Sequence, residues 1–243
     1  MIWILKKNNT PASTITLSDG TELRVYPDSD HTLYTLANGT DLLLENHPQT
    51  PENTIAVGKK NIDHLEENAK AAVLAYYEER GRLYDIMEEL EKAAAIYQQS
   101  QNKENFSMMR IEQNVYPTAA NDRLIFFQTS LHLPLAEKTF TERNLCEVFN
   151  RKTGTYIPIE GLFICPLEEL GSQLLAMAHL SDADRADMEA AFRREYIFFT
   201  EDSLCIDFPA GSLINYKEQY IVPLKYTSDL RGLMHDWAIP KEG

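Results

Sequence analysis

The sequence predicts an α+β fold: an antiparallel sheet packed against one long helix and two shorter helices, preceded by small N-terminal hairpins. Three observations predict it. Short β-prone runs broken by Asp-Gly and Asn-Gly open the chain. A single stripe at helical spacing then spans residues 61–104. Beyond it, strands lie on both sides of two shorter helical stretches, without regular βαβ alternation.

In the first 58 residues, Thr14–Leu17 is followed by Ser18-Asp19-Gly20 and Leu23–Tyr26. His31–Tyr34 is followed by Ala37-Asn38-Gly39 and Leu42–Leu44. Both read as hairpins, because Asp-Gly and Asn-Gly reach the positive φ that tight β-turns need. Residues 47–53 are polar and carry two prolines, a loop. In 61–104, Ala69, Ala72, Tyr76, Glu79, Leu83, Ile86, Leu90, Ala93 and Tyr97 are spaced by three and four, and all but Glu79 are apolar or aromatic. That predicts one continuous helix, with Asp63 as N-cap and Glu66 completing a capping box. Gly81 weakens such a helix by about 1 kcal/mol, too little to break it.

From 106 onward, 108–116 and 123–132 read as strands around a turn at 117–122. The runs 145–150 and 155–159 flank Arg151-Lys152-Thr153-Gly154, a tight turn closed by glycine. Pro166 opens a helix running to about His179, and Ser181 opens a second running to about Arg194. Strands at 196–200, 203–207 and 220–226 follow, then a closing helical turn at 229–236. The expected organisation is a hairpin region (1–58), a long helix (59–105) and an α+β domain (106–243), with 59–243 packed as one unit.

The chain of 243 residues has a formal charge of −14. So acidic a surface disfavours nucleic-acid phosphates and anionic membranes as partners. No apolar run approaches the roughly 20 residues of a membrane helix, so no membrane insertion by this chain is expected. Cys146, Cys165 and Cys205 sit in apolar runs and read as buried free thiols.

No residues are expected to be catalytic, cofactor-binding or metal-ligating. His31, His47, His64, His132, His179 and His235 are scattered without metal spacing. Nucleophile-elbow, dinucleotide and phosphate-loop motifs do not occur. The run from Ser181 to Glu189 fails as a calcium loop: its sixth position, counted from Asp182, is Asp187 instead of glycine. It reads instead as a capping box, with Ser181 and Asp184 at a helix start.

Residues 160–192 hold seven acids and one base, Arg185. This is first a solvated helical surface. Its functional alternative is a docking face for a cationic protein, with Glu168, Glu169, Asp184 and Asp187 as contact residues.

Val148-Phe149-Asn150-Arg151-Lys152-Thr153-Gly154 runs into Ile157-Pro158-Ile159-Glu160-Gly161-Leu162-Phe163. Phe198–Phe208 and Tyr220-Ile221-Val222-Pro223-Leu224 follow in order. These segments, spread over 106–243, resemble the extracytoplasmic domain of unknown function found in bacterial RsiV-type anti-sigma factors and as a noncatalytic part of PdaC-type peptidoglycan deacetylases. The resemblance implies an α+β fold and, for some members, binding of lysozyme, a basic protein. It assigns no residue a role. The functional expectation is a noncatalytic ligand- or protein-binding module of a bacterial envelope or sensing protein. The alternatives are a hydrolase acting on a cell-wall polymer, its site built from distant residues, and a structural protein using 61–104 as an oligomer seam. Localisation is extracytoplasmic if the chain is part of a longer exported one, and cytoplasmic if Met1 is the true start.

Overall fold

The computed structural model describes residues 10–53 and 62–240. Two compact units divide the chain. The smaller comprises Met1–Pro48, Arg82–Gln113 and Leu131–Thr141; the larger comprises Gln49–Gly81, Asn114–Ser130 and Glu142–Gly243.

The two expected hairpins form. Strands β1 (Ser13–Thr16) and β2 (Glu22–Pro27) pair antiparallel, as do β3 (His31–Leu36) and β4 (Asp41–Asn46), and β2 also pairs β3. The two turns share one plan. Asp19 Oδ1 accepts the Thr21 N–H at 2.8 Å, and Asn38 Oδ1 accepts the Thr40 N–H at 3.0 Å. A short polar side chain that bonds two residues ahead is what suits Asp and Asn to these positions.

Helix α2 (Ile86–Gln99) covers one face of this meander. Leu90, Ala93 and Ala94 are buried against Leu23, Val25, Tyr34, Leu42 and Leu43. Polar ties fix its axis at both turns. Glu91 Oε1 accepts the Ser18 N–H at 2.7 Å, Gln98 donates to Asp19 at 2.6 Å, and Asn38 donates to the Tyr97 hydroxyl at 3.0 Å.

The single helix expected over 61–104 is two helices, α1 (Glu67–Arg80) and α2. Gly81, at φ +60°, donates its N–H to Tyr77 O and ends α1. Asp85 starts α2 by accepting the Met87 and Glu88 N–H groups. The five-residue link is held by side chains: the Leu83 N–H reaches Gln113 Oε1 at 2.8 Å, and Arg82 and Tyr84 reach Glu45. Asp63 is not the cap either; it lies in a short 3-10 turn and pairs with Lys70 at 2.8 Å, while Glu66 occupies the N-cap of α1.

Strands β5 (Met109–Ala120), β6 (Leu124–Ala136), β7 (Thr139–Asn150) and β8 (Tyr156–Ile157) complete an eight-stranded sheet in the order β1 to β8. The sheet is not purely antiparallel, because β4 pairs β5 in parallel over Leu43–Glu45 and Met109–Ile111. Parallel neighbours need a long crossover, and the segment carrying α1 and α2 supplies it. Nor is the sheet confined to residues after 106, since both N-terminal hairpins belong to it. The last three strands, β9 (Ile197–Phe199), β10 (Ser203–Phe208) and β11 (Tyr220–Lys225), form a separate sheet in the order β11-β10-β9.

β5 also continues to Ala120, so the turn expected at 117–122 is confined to 121–123. Its ladder with β4 stops at Ile111, so Pro117 withholds no N–H from that neighbour.

In the larger unit, β6 alternates between two cores. Ile125 and Phe127 meet Ala69, Val73 and Tyr77 of α1, whereas Leu124 and Phe126 meet Phe199, Ile206 and Leu174. A strand covered on both faces explains the unbroken apolar run Leu124–Phe127. Cys146 and Cys205 are buried in the second of these cores and Cys165 is partly buried at its margin. Burial pushes all three thiols up from their ordinary range.

The Arg151–Gly154 turn closes on Gly154, at φ +69°. A Cβ there would stand 2.4 Å from Ala69 O and 2.7 Å from the Ala72 Cβ of α1. Gly154→Ala therefore combines left-handed strain with a backbone clash and is expected to destabilise by about 3 kcal/mol. Gly20→Ala meets only the strain, since φ is +84° and nothing lies within 4 Å; about 1 kcal/mol is expected. Urea unfolding of both variants measures the difference, and equal midpoints would contradict the close approach of α1.

Candidate interaction face

The acidic stretch folds as two helices of the larger unit, α3 (Leu167–Ala176) and α4 (Asp182–Ala191). Pro166 is the N-cap of α3. Ser181 caps α4: its Oγ accepts the Asp184 N–H at 3.2 Å and donates to Asp184 Oδ2 at 2.6 Å. The expected N-cap is present, but the Asp184 carboxylate bonds the Ser181 hydroxyl and not the Ser181 backbone N–H that a capping box uses. Leu170, Leu174 and Leu175 of α3 and Met188 of α4 are buried in the larger core. Gly171 leaves room for the Phe192 ring, whose Cδ1 would lie 2.5 Å from a Cβ at that position. These contacts fix the inward faces and leave the acids outward.

The four predicted contact residues divide into two kinds. Glu168 and Glu169 are exposed in the first turn of α3, where a helix N-terminus favours negative charge. Glu169 accepts from Gln173 at 2.8 Å. Asp184 and Asp187 are half-buried and already committed. Asp187 Oδ2 accepts the N–H groups of Ile214 at 2.9 Å and Asn215 at 3.2 Å. Asp184 takes the Asn215 amide at 3.4 Å besides accepting the Ser181 hydroxyl. These two aspartates tie the loop after β10 to α4. That loop carries Ile214, which is 90% exposed. Ile164 and Leu167 are exposed beside Glu168.

Sequence reasoning missed four buried carboxylates among the described residues; one of them, Glu89 of α2, pairs with Lys92 at 2.8 Å. In the larger unit, Glu147 of β7 accepts from Thr129 Oγ1 at 2.6 Å, from the Tyr77 hydroxyl at 3.0 Å and from Arg80. The Arg80 guanidinium also lies 4.6 Å from the Tyr77 ring centroid. In the smaller unit, Glu45 of β4 accepts from Tyr34 and Tyr84, each at 2.8 Å, and from Arg82 at 3.0 Å. Burial and the neighbouring carboxylate push Tyr34, Tyr77 and Tyr84 well above the ordinary tyrosine range. Asp207 of β10, 2% exposed, takes the amide of Asn144 at 2.6 Å and that of Gln219 at 2.8 Å. The Asn144 amide also reaches Glu142 at 3.1 Å, so two acids distant in sequence converge on it. Both Asp207 oxygens are occupied by protein donors, which makes the cluster a tie between β7 and β10.

No group of three or more His, Cys, Asp or Glu side chains suited to a metal ion occurs among the described residues. His47 bridges Thr32 and the Ser29 carbonyl at 3.0 Å each, and His235 stacks on Trp237. Among the described residues no helix is long and apolar enough to cross a membrane.

Burial raises the Asp207 carboxyl above its ordinary 3.8, against the opposing amides. A raised folded value means the native state holds this proton more tightly than the unfolded chain does. Its contribution to stability is fully present below 3.8 and is lost as pH rises through the folded value. The stability of Asp207→Asn is expected to lack that decline. A carbon-detected NMR titration should place the Asp207 midpoint above 3.8; a midpoint at or below it would contradict the burial argument.

No family model matches the chain, and no curated protein does. Solved structures resemble it, among them two of one family. A DUF3298 family protein from Pseudomonas aeruginosa PAO1 aligns over 96% of this chain and 99% of its own, at 13% identity and a TM-score of 0.43. A member of the same family from Bacteroides fragilis aligns over 88% of this chain and 94% of its own, at 9% identity and a TM-score of 0.52. The likeness to the Bacteroides protein is one of fold: a mixed α+β architecture shared with a domain of unknown function.

Proposed function

We propose that the chain is a noncatalytic binding module of a bacterial envelope or sensing protein, of the kind found in RsiV-type anti-sigma factors. Its partner is a basic protein, received on the acidic helices of the larger unit. The observation that carries this reading is the arrangement on α3 and α4. Exposed Glu168 and Glu169 flank exposed Ile164 and Leu167, and Asp184 and Asp187 hold Ile214 out from the surface. An acidic rim steers a cationic partner, and the apolar side chains supply burial once it docks. An oligomer seam along 61–104 is the less supported alternative, because that stretch is two helices and each buries apolar side chains within its own unit.

Lysozyme is the first probe. Rim charges are screened over about 10 Å at 0.1 M salt, so affinity should fall as salt rises, mainly through slower association. Glu168→Gln with Glu169→Gln removes charge alone and should weaken binding about fivefold at low salt. Asp187→Asn exchanges an acceptor for a donor facing two N–H groups and should act through the Ile214 loop, speeding dissociation at every salt concentration. Binding of equal strength at both salts, or undiminished in the double glutamine variant, would refute this site.

A further inference from the structure

A pocket of about 220 Å³ lies wholly within the smaller unit, on the sheet face opposite α2. Residues 109, 111 and 133 point to the α2 core, so their even-numbered neighbours on β5 and β6 point the other way. Met108, Pro134 and Phe140 make the apolar lining, and Met108 also packs against the small buried cluster of Tyr26, Leu33 and Leu44. The Phe140 ring stands 5.0 Å from that of His132 and is 58% exposed.

The charges on this pocket oppose those of the chain. Arg110 and Lys138 both line it. Glu112 also lines it: one oxygen accepts the Asn46 amide at 3.1 Å, and the other lies 3.9 Å from the Nδ1 of His132, which lines the pocket too, so the two cations face one partnered carboxylate. Two cations thus border an apolar hollow on a protein of net charge −14.

The backbone adds an independent observation. Lys138 sits at φ +68°, and among the described residues it alone apart from glycines has positive φ. Gly or Asn would hold that position in the β6–β7 turn with less strain. Backbone strain retained at a residue that lines a pocket points to a use for that residue. The turn is also preorganised. The neighbouring Glu137 accepts the Ser107 N–H at 3.1 Å and the Ser100 hydroxyl at 2.9 Å.

We infer that this pocket binds a small organic anion, a carboxylate on an aromatic or branched aliphatic body. A closed cavity of about 150 Å³ accepts benzene, so 220 Å³ holds a ring and a short arm. Met108, Pro134 and Phe140 receive the body. Arg110 and Lys138 receive the carboxylate by charge-assisted hydrogen bonds. This site is separate in residues and opposite in sign from the acidic face of α3 and α4, and it stands or falls independently of that reading.

The test uses the full chain with 3-phenylpropionate as probe and its neutral amide as control, followed by saturation-transfer NMR. The carboxylate is expected to bind with a Kd on the order of a millimolar, with transfer to the Met108 methyl and the Phe140 ring. Arg110→Gln should weaken it about fivefold. Lys138→Gly should weaken it similarly while raising the thermal midpoint by about 2 °C, because it removes a cation and relieves strain together. Phe140→Ala, at an exposed position, should remove binding without unfolding the protein. Equal binding of the acid and the amide would overturn the anionic assignment. Absence of binding by either, or a Lys138→Gly variant that binds as the parent does, would overturn the site.

Discussion

Two carboxylates with almost no access to water, Glu45 and Glu147, set the constraint from which the middle of the chain takes its shape. A buried carboxylate costs several kcal/mol unless a cation and further donors surround it. Each receives three: Glu45 has Arg82, Tyr84 and Tyr34, and Glu147 has Arg80, Tyr77 and Thr129. The two arginines flank Gly81 in sequence, and each serves its own unit. Residues two apart on an α-helix point about 200° apart. Arg82 and Tyr84 nevertheless meet the same oxygen of Glu45. Only a non-helical link permits that, so the requirement of one buried acid ends α1 and delays α2.

This is where the sequence misleads and where it could have been read better. The apolar stripe runs across Gly81 without losing phase, because Leu83 and Ile86 keep the spacing. Periodicity alone cannot register a five-residue interruption that preserves it. The signals of a boundary were nonetheless local: a glycine at the end of one helix and Asp85 three residues before Glu88 at the start of the next. The hairpins at Asp19-Gly20 and Asn38-Gly39 and the N-cap at Ser181 were legible because their chemistry lies within four residues. The parallel pairing of β4 with β5 was not, since it joins segments more than sixty residues apart.

The candidate sites differ in the same way. The acidic excess of α3 and α4 is a property of composition and could be read directly. That Asp184 and Asp187 are half spent on Ile214 and Asn215 could not, because the loop they hold lies about thirty residues downstream. Ile214 and Phe140 are ordinary apolar letters until the fold leaves them exposed. The pocket beside Phe140 needed β5, β6 and the β6–β7 turn to be placed before Arg110 and Lys138 came to line one hollow. One chain thus carries an acidic helical face in one unit and a hollow bordered by Arg110 and Lys138 in the other.

The dependence of the fold on its buried acids is tested most directly by double-mutant cycles in urea unfolding, Arg80→Met with Glu147→Leu and Arg82→Met with Glu45→Leu. Removing Arg80 alone strands a buried carboxylate and should cost about 4 kcal/mol. The double variant should cost less than the sum of its parts by about 2 kcal/mol. The Arg82 cycle should show a smaller coupling, because that side chain is 45% exposed and its charge is screened. Costs that add within about 0.5 kcal/mol in both cycles would contradict the account and return the helix break to Gly81 and Asp85 alone.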